Sequence, residues 1–152
     1  MDKNSVLIKS IEDIAVGESA YFAKTVTEAD VMMFAQISGD YAPHHVNKEF
    51  GDTTMFRSRI AHGMLTAGLI GPVLTALCGA ASHTASQQVR FKTAVLLNDT
   101  VTVKGTVTAV NPQSREVSVE VVCTKQNTGP NDRPVILGSF VQSMDVALTG
   151  LQ

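Results

Sequence analysis

The sequence predicts an α+β fold in which one curved antiparallel β-sheet wraps around a central buried α-helix. Two observations carry this. From Gln87 onward the pattern has period two. Val89 and Phe91 alternate with Arg90 and Lys92, Val101, Val103 and Val107 with threonines and Lys104, and Val117, Val119 and Val121 with Glu116, Ser118 and Glu120. Such alternation marks antiparallel strands with one covered face. Before them, residues 63–77 place Met64, Leu65, Leu69, Ile70, Val73, Leu74 and Leu77 around most of a helical circumference. A helix apolar nearly all round must be buried, and a sheet wrapped around it hides both elements at once.

The remaining elements follow in order. Ala20-Tyr21-Phe22-Ala23 centres a first strand over residues 18–26. Thr27-Glu28-Ala29-Asp30 matches a capping box, and Val31, Phe34, Ala35 and Ser38 continue it at helical spacing. Gly39 is placed to end that helix in a left-handed cap. A Gly/Pro-punctuated segment, residues 38–64, then holds three of the four histidines and is too irregular for one helix. Pro72 should bend or shorten the apolar helix, and Gly79 closes it. Asn98-Asp99 and Asn111-Pro112-Gln113-Ser114 supply turns between strands. A loop around Thr128-Gly129-Pro130 precedes a last strand over residues 135–146.

A chain of 152 residues suits a single domain spanning residues 1–152, and 44% hydrophobic with 17% charged residues is an ordinary globular balance. A net charge of −2 without like-charge runs argues against nucleic acid or a polybasic membrane patch as a partner. No signal-like stretch opens the sequence. The longest apolar run is interrupted by His62, Gly63, Gly68, Gly71 and Pro72, short of the ~20 apolar residues of a bilayer span. Cys78 and Cys123 have no metal or redox spacing and read as free core thiols, so a cytoplasmic location is expected.

Chemistry concentrates in residues 38–64. Asp40 and His45 lie five residues apart across Ala42-Pro43, in what reads as a non-helical turn, and can converge on one water molecule. On spacing alone this pattern is weakly specific, and a turn-capping aspartate beside a satisfied histidine is the readier reading. If the backbone is extended, His44 points away from His45. A metal held by Asp40, His44, His45 and His62 would lack an i, i+4 ligand pair, and none is expected. His62-Gly63-Met64 opens the apolar helix, where free amides suit an oxyanion; tight packing explains the glycine equally well. Ser38, Ser58 and Cys78 lack a nucleophile-elbow context. Met32, Met33, Met55 and Met64 read as core or pocket wall; Arg57, Arg59, Arg90 and Lys92 could meet an anionic cofactor tail, but each reads more readily as a solvated surface charge.

The run Phe34-Ala35-Gln36-Ile37-Ser38-Gly39-Asp40-Tyr41-Ala42-Pro43-His44-His45 resembles the hydratase-2 motif of MaoC-like, hot-dog-fold (R)-specific enoyl-CoA hydratases. Arg59-Ile60-Ala61-His62-Gly63-Met64 resembles the segment opening that family's central helix, and Val89-Arg90-Phe91-Lys92 its following strand. The resemblance implies a hot-dog domain that adds water across a trans-2-enoyl-CoA to give an (R)-3-hydroxyacyl-CoA. Asp40 and His45 fall on the catalytic pair, and the Gly63 amide on the carbonyl contact. His62, Met64, Ala42 and Pro43 are expected around the substrate. Coenzyme A then enters only as part of the substrate, with no metal or other cofactor. A homodimer, or a higher homo-oligomer, is expected to cover the open sheet edges.

Two departures stand out. Ala42 replaces the family's usual Asn, removing one polar brace. Ala94 and Asn98 replace a usual Pro and Gly. Rival readings are a thioesterase, a 3-hydroxyacyl-carrier-protein dehydratase and a non-catalytic acyl-thioester-binding subunit.

Overall fold

The computed structural model describes residues 8–126 and 134–144. Its five strands are β1 (Ser19–Thr25), β2 (Ser82–Phe91), β3 (Thr100–Asn111), β4 (Glu116–Lys125) and β5 (Ile136–Met144), joined antiparallel in the order β1-β3-β4-β5-β2. The valines that alternate in sequence alternate in space. Val101, Val103, Val107, Val117, Val119 and Val121 are all buried on one face. Asn98 takes a left-handed φ of 70° between the cleft wall and β3, a conformation asparagine tolerates in place of glycine. Asn111 accepts from the amides of Gln113 and Ser114 and so builds the β3–β4 turn. The loop expected near Thr128 and the end of the last strand lie outside the described residues.

Thr27 caps α1 (Glu28–Ser38) as its sequence implies. Its side chain accepts from the Asp30 amide, Asp30 reaches back to the Thr27 amide at 2.8 Å, and Gly39 ends the helix at φ 74°.

The apolar helix is not one rod. It divides into α4 (Gly63–Gly68) and α5 (Gly71–Cys78), with Leu69 and Ile70 between them. Pro72 has no N–H to continue the ladder and is tolerated only in a first turn, where it now lies. Nor is burial complete. Leu69, Ile70, Val73, Leu74, Leu77 and Cys78 enter the core, while Met64, Gly68, Pro72, Thr75 and Ala76 remain exposed. The sheet covers one side of the helix rather than its whole circumference.

A second departure concerns β2. It occupies one sheet edge and pairs only with β5 among the described strands, so its alternating pattern does not give a covered face. Val89 is half-buried and Phe91 is exposed.

The N-terminal segment closes the far end of the core. The Lys9 ammonium pairs with Glu18 at 2.7 Å and donates to the Leu77 carbonyl at 3.1 Å. A cation there satisfies a last-turn carbonyl of α5.

Candidate active site

The loop after α1 is more regular than its composition suggests. It contains two short helices, α2 (Pro43–Val46) and α3 (Lys48–Thr53). Pro43 opens α2 at a position where its missing N–H costs nothing. Asn47 then caps α3 by accepting from the Phe50 amide at 2.9 Å. His45 is therefore on a helical turn rather than in a non-helical one. His44 does not point away from it, because the stretch is not extended. The two rings lie 4.0 Å apart between centroids.

Backbone pairing fixes the second half of the site. The Ile60 amide donates to the His44 carbonyl and the Ala61 amide to the Val95 carbonyl, at 3.0 and 2.7 Å. Residues 60–62 are thus stitched between the histidine turn and the wall leading to β3. Arg59, expected as a surface charge, instead reaches Glu28 of α1 at 2.7 Å and is largely buried.

These ties bring Asp40, His45 and His62 together. His45 Nε2 lies 3.8 Å from Asp40 Oδ2, too far for a direct hydrogen bond. The other ring nitrogen, Nδ1, is 2.7 Å from the Ile60 carbonyl. A carbonyl only accepts, so Nδ1 carries the hydrogen and Nε2 presents its lone pair towards Asp40. Burial holds the His45 imidazole below its ordinary value. The Ile60 hydrogen bond opposes this, His62 and His44 add to it, and Asp40 opposes it again. The Asp40 side chain is half exposed (52%) while that of His45 is nearly enclosed (8%). One Asp40 oxygen accepts from the Ala42 amide at 3.1 Å. The backbone thus braces Asp40 even though position 42 carries only a methyl group.

His62 lies beneath the pair. Its ring stacks on His45 with centroids 3.8 Å apart and planes at 28°, and Nε2 meets the Asp40 carbonyl at 2.9 Å. Donor atoms of Asp40, His45 and His62 lie within 4.8 Å of one another. Ring lone pairs lie in the ring plane, so stacked imidazoles direct theirs side by side rather than at a common ion.

A cleft of about 410 Å³ ends on His45. Met55, Phe56, Ile60, Ala61, Gly63 and Thr66 form one side of it; Phe91, Lys92, Thr93, Ala94, Val95 and Val135 form the other. Lys125 holds that second wall, donating to the Ala94 carbonyl at 3.0 Å and to Asp99 at 2.7 Å. Gly63 is closely approached. A Cβ there would stand 3.0 Å from the Phe91 ring. As first residue of α4, Gly63 has an amide without an intrahelical acceptor.

Of the residues expected around a substrate, Gly63 lines the cleft. His62, Met64, Ala42 and Pro43 do not; Met64 is 56% exposed on the outer side of α4. Phe91, Lys92 and Thr93 line it although sequence reasoning placed only alternation or surface charge there. Ser38 is committed elsewhere, donating to the Phe34 carbonyl at 2.7 Å.

An apolar cleft lined by a buried imidazole, with a carboxylate oxygen 3.8 Å from its ring nitrogen, brings together the groups that acid/base chemistry on a water molecule needs. Residues 13–128 match the family described as the MaoC like domain, and the chain belongs to that family. It is 42% identical over 125 residues to an (R)-specific enoyl-CoA hydratase of Rhodospirillum rubrum, covering 82% of this chain and 87% of that one. To a 3-hydroxybutyryl-CoA dehydratase of Methylorubrum extorquens it is 39% identical over 114 residues, covering 74% and 73%. The solved (R)-hydratase of Aeromonas caviae superposes with a TM-score of 0.82 at 30% identity, covering 88% of this chain and 99% of that one. The chain has the hot-dog fold.

Proposed function

We propose that this protein is an (R)-specific enoyl-CoA hydratase, a hydro-lyase that reversibly adds water to a trans-2-enoyl-CoA. The observation that carries the reading is the 3.8 Å approach of Asp40 Oδ2, outside the apolar cleft, to Nε2 of His45, which lines it. A water about 2.8 Å from each would bridge them from one side of the line that joins them. The (R) product rests on the relatives' names alone.

In the forward direction the water oxygen bonds to C3 as the C2=C3 π bond breaks. Electron density moves onto the thioester oxygen. His45 Nε2 takes a proton from the water and, as imidazolium, returns it to C2. Asp40 accepts a hydrogen bond from the water's other O–H, which stays on the hydroxyl formed at C3, and fixes the direction of attack. The Gly63 amide, which has no intrahelical acceptor, would stabilise the enolate oxygen. Because α4 has only six residues, the local N–H rather than a long helix dipole would supply most of that effect. The steps use the chain's own acid/base groups, with coenzyme A present only as the substrate's carrier.

Two further expectations belong to this reading. The exposed β2 edge and Phe91 favour a homodimer. Free thiols favour the cytoplasm. Among the described residues no helix is long and apolar enough to cross a membrane.

The test follows loss of the conjugated-thioester absorbance of crotonyl-CoA. Wild type hydrates it, and Asp40→Asn and His45→Gln each lose about two decades or more in kcat. Chiral analysis of the product checks the (R) hand. Binding of acyl-CoA without turnover on short or long enoyl chains would overturn the reading in favour of a binding subunit.

A further inference from the structure

We infer that His62 is a positioning residue that aligns Asp40 and His45 with each other, an assignment that rests on the acid/base reading above. Three observations bear on it. First, His62 is 2% exposed and, like the half-exposed Asp40, does not line the cleft, so of these two it is the one enclosed by protein on every side. Second, it touches both members. Its Nε2–H donates to the Asp40 carbonyl at 2.9 Å, and its face stacks on His45 at 3.8 Å, with Phe34 against it at 4.9 Å. Third, its Nδ1 is buried and has no hydrogen-bond partner among the described residues.

That orphaned nitrogen is informative. A buried polar atom without a partner lowers stability, and an apolar ring of similar size would avoid the loss. A histidine kept at such a position contributes something else: one N–H and one aromatic face, each directed at a different member of the pair. The geometry of Asp40 shows what the N–H supplies. Asp40 follows the left-handed Gly39, and among the described residues its carboxylate accepts one hydrogen bond, from the Ala42 amide of the same turn. The His62 bond to its carbonyl ties that turn to the buried part of the site. His45 is gripped at its edge by Ile60 and on its face by His62. Removing the His62 link frees one partner of the 3.8 Å gap while the other stays fixed. Reacting groups displaced by an ångström lose rate steeply.

The experiment measures kcat and KM for crotonyl-CoA across the range in which histidine titrates, with a thermal melt for each variant. His62→Phe keeps a flat ring against His45 and deletes the N–H. His62→Gln keeps an N–H of similar reach and deletes the ring. Asp40→Asn and His45→Gln serve as references. The expected result for His62→Phe is a fall in kcat of about tenfold or more with KM changed by less than about twofold. Part of that loss should return in His62→Gln. The acid limb of kcat/KM should move to higher pH in His62→Phe. Of the charges facing His45, His44 and Asp40 remain while the depressing effect of His62 is gone.

A wild-type kcat with a raised KM would overturn the inference and make His62 a substrate contact. An unchanged kcat and pH profile with only a lower melting temperature would overturn it as purely structural packing. If Asp40→Asn and His45→Gln also run at wild-type rates, the failure lies with the acid/base reading itself.

Discussion

The two nitrogens of His45 face different surroundings, and the difference decides what the residue can do. Nδ1–H is fixed on the Ile60 carbonyl, which leaves Nε2 as a lone pair in the site. Burial keeps the ring from charging at its ordinary value of 6.5. The sign for activity follows directly. A base works only while unprotonated, so the acid limb of kcat/KM should fall with a midpoint below 6.5, which a pH profile of wild type reads out. A midpoint above 6.5 would mean that Asp40 dominates over burial. The convergence of Asp40 and His45 was legible in the sequence because their spacing belongs to a longer motif. The placement of His44 was not, since four residues from Pro43 to Val46 carry no periodicity that separates a helical turn from an extended one.

At the scale of elements, the contact between α5 and the sheet depends on the absence of a side chain. A Cβ at Gly105 of β3 would lie 2.5 Å from Val73 Cγ1 and 3.2 Å from Leu77 Cδ1. Both neighbours are fully packed, and the branched Val73 has little rotamer freedom. Gly105→Ala should therefore cost about 1–3 kcal/mol, read as a lower urea midpoint at unchanged slope. The valine alternation and the Thr27 capping box were legible because they are local. The helix break was legible in part, through Pro72. The exposure of β2 was not, because covering a strand depends on its neighbours in the sheet, and edge position is a property of topology. For the same reason the second cleft wall escaped sequence reasoning. Residues 91–95 meet residues 55–66 only through long-range pairing such as Ile60 with Leu96.

For the molecule as a whole, both cysteines act as reporters of integrity. Burial pushes the Cys78 thiol up to about 11 and the Cys123 thiol up to about 12. The native protein should leave both unreactive towards a thiol-labelling reagent, with two thiols per chain appearing only on unfolding. Light scattering coupled to gel filtration should give twice the 16.2 kDa chain mass if β2 edges pair in solution; a monomer mass would set the dimer aside. The half-open carboxylate has a consequence of its own. Hydration has two reactants, and the site offers them separate doors. On the proposed reading the acyl chain would come through the apolar cleft to His45, whereas Asp40 stands outside that cleft and is half exposed. Water would then be replenished from the exposed side of Asp40 while the thioester still fills the cleft, so a long chain need not leave, or even shift, for the next nucleophile to arrive.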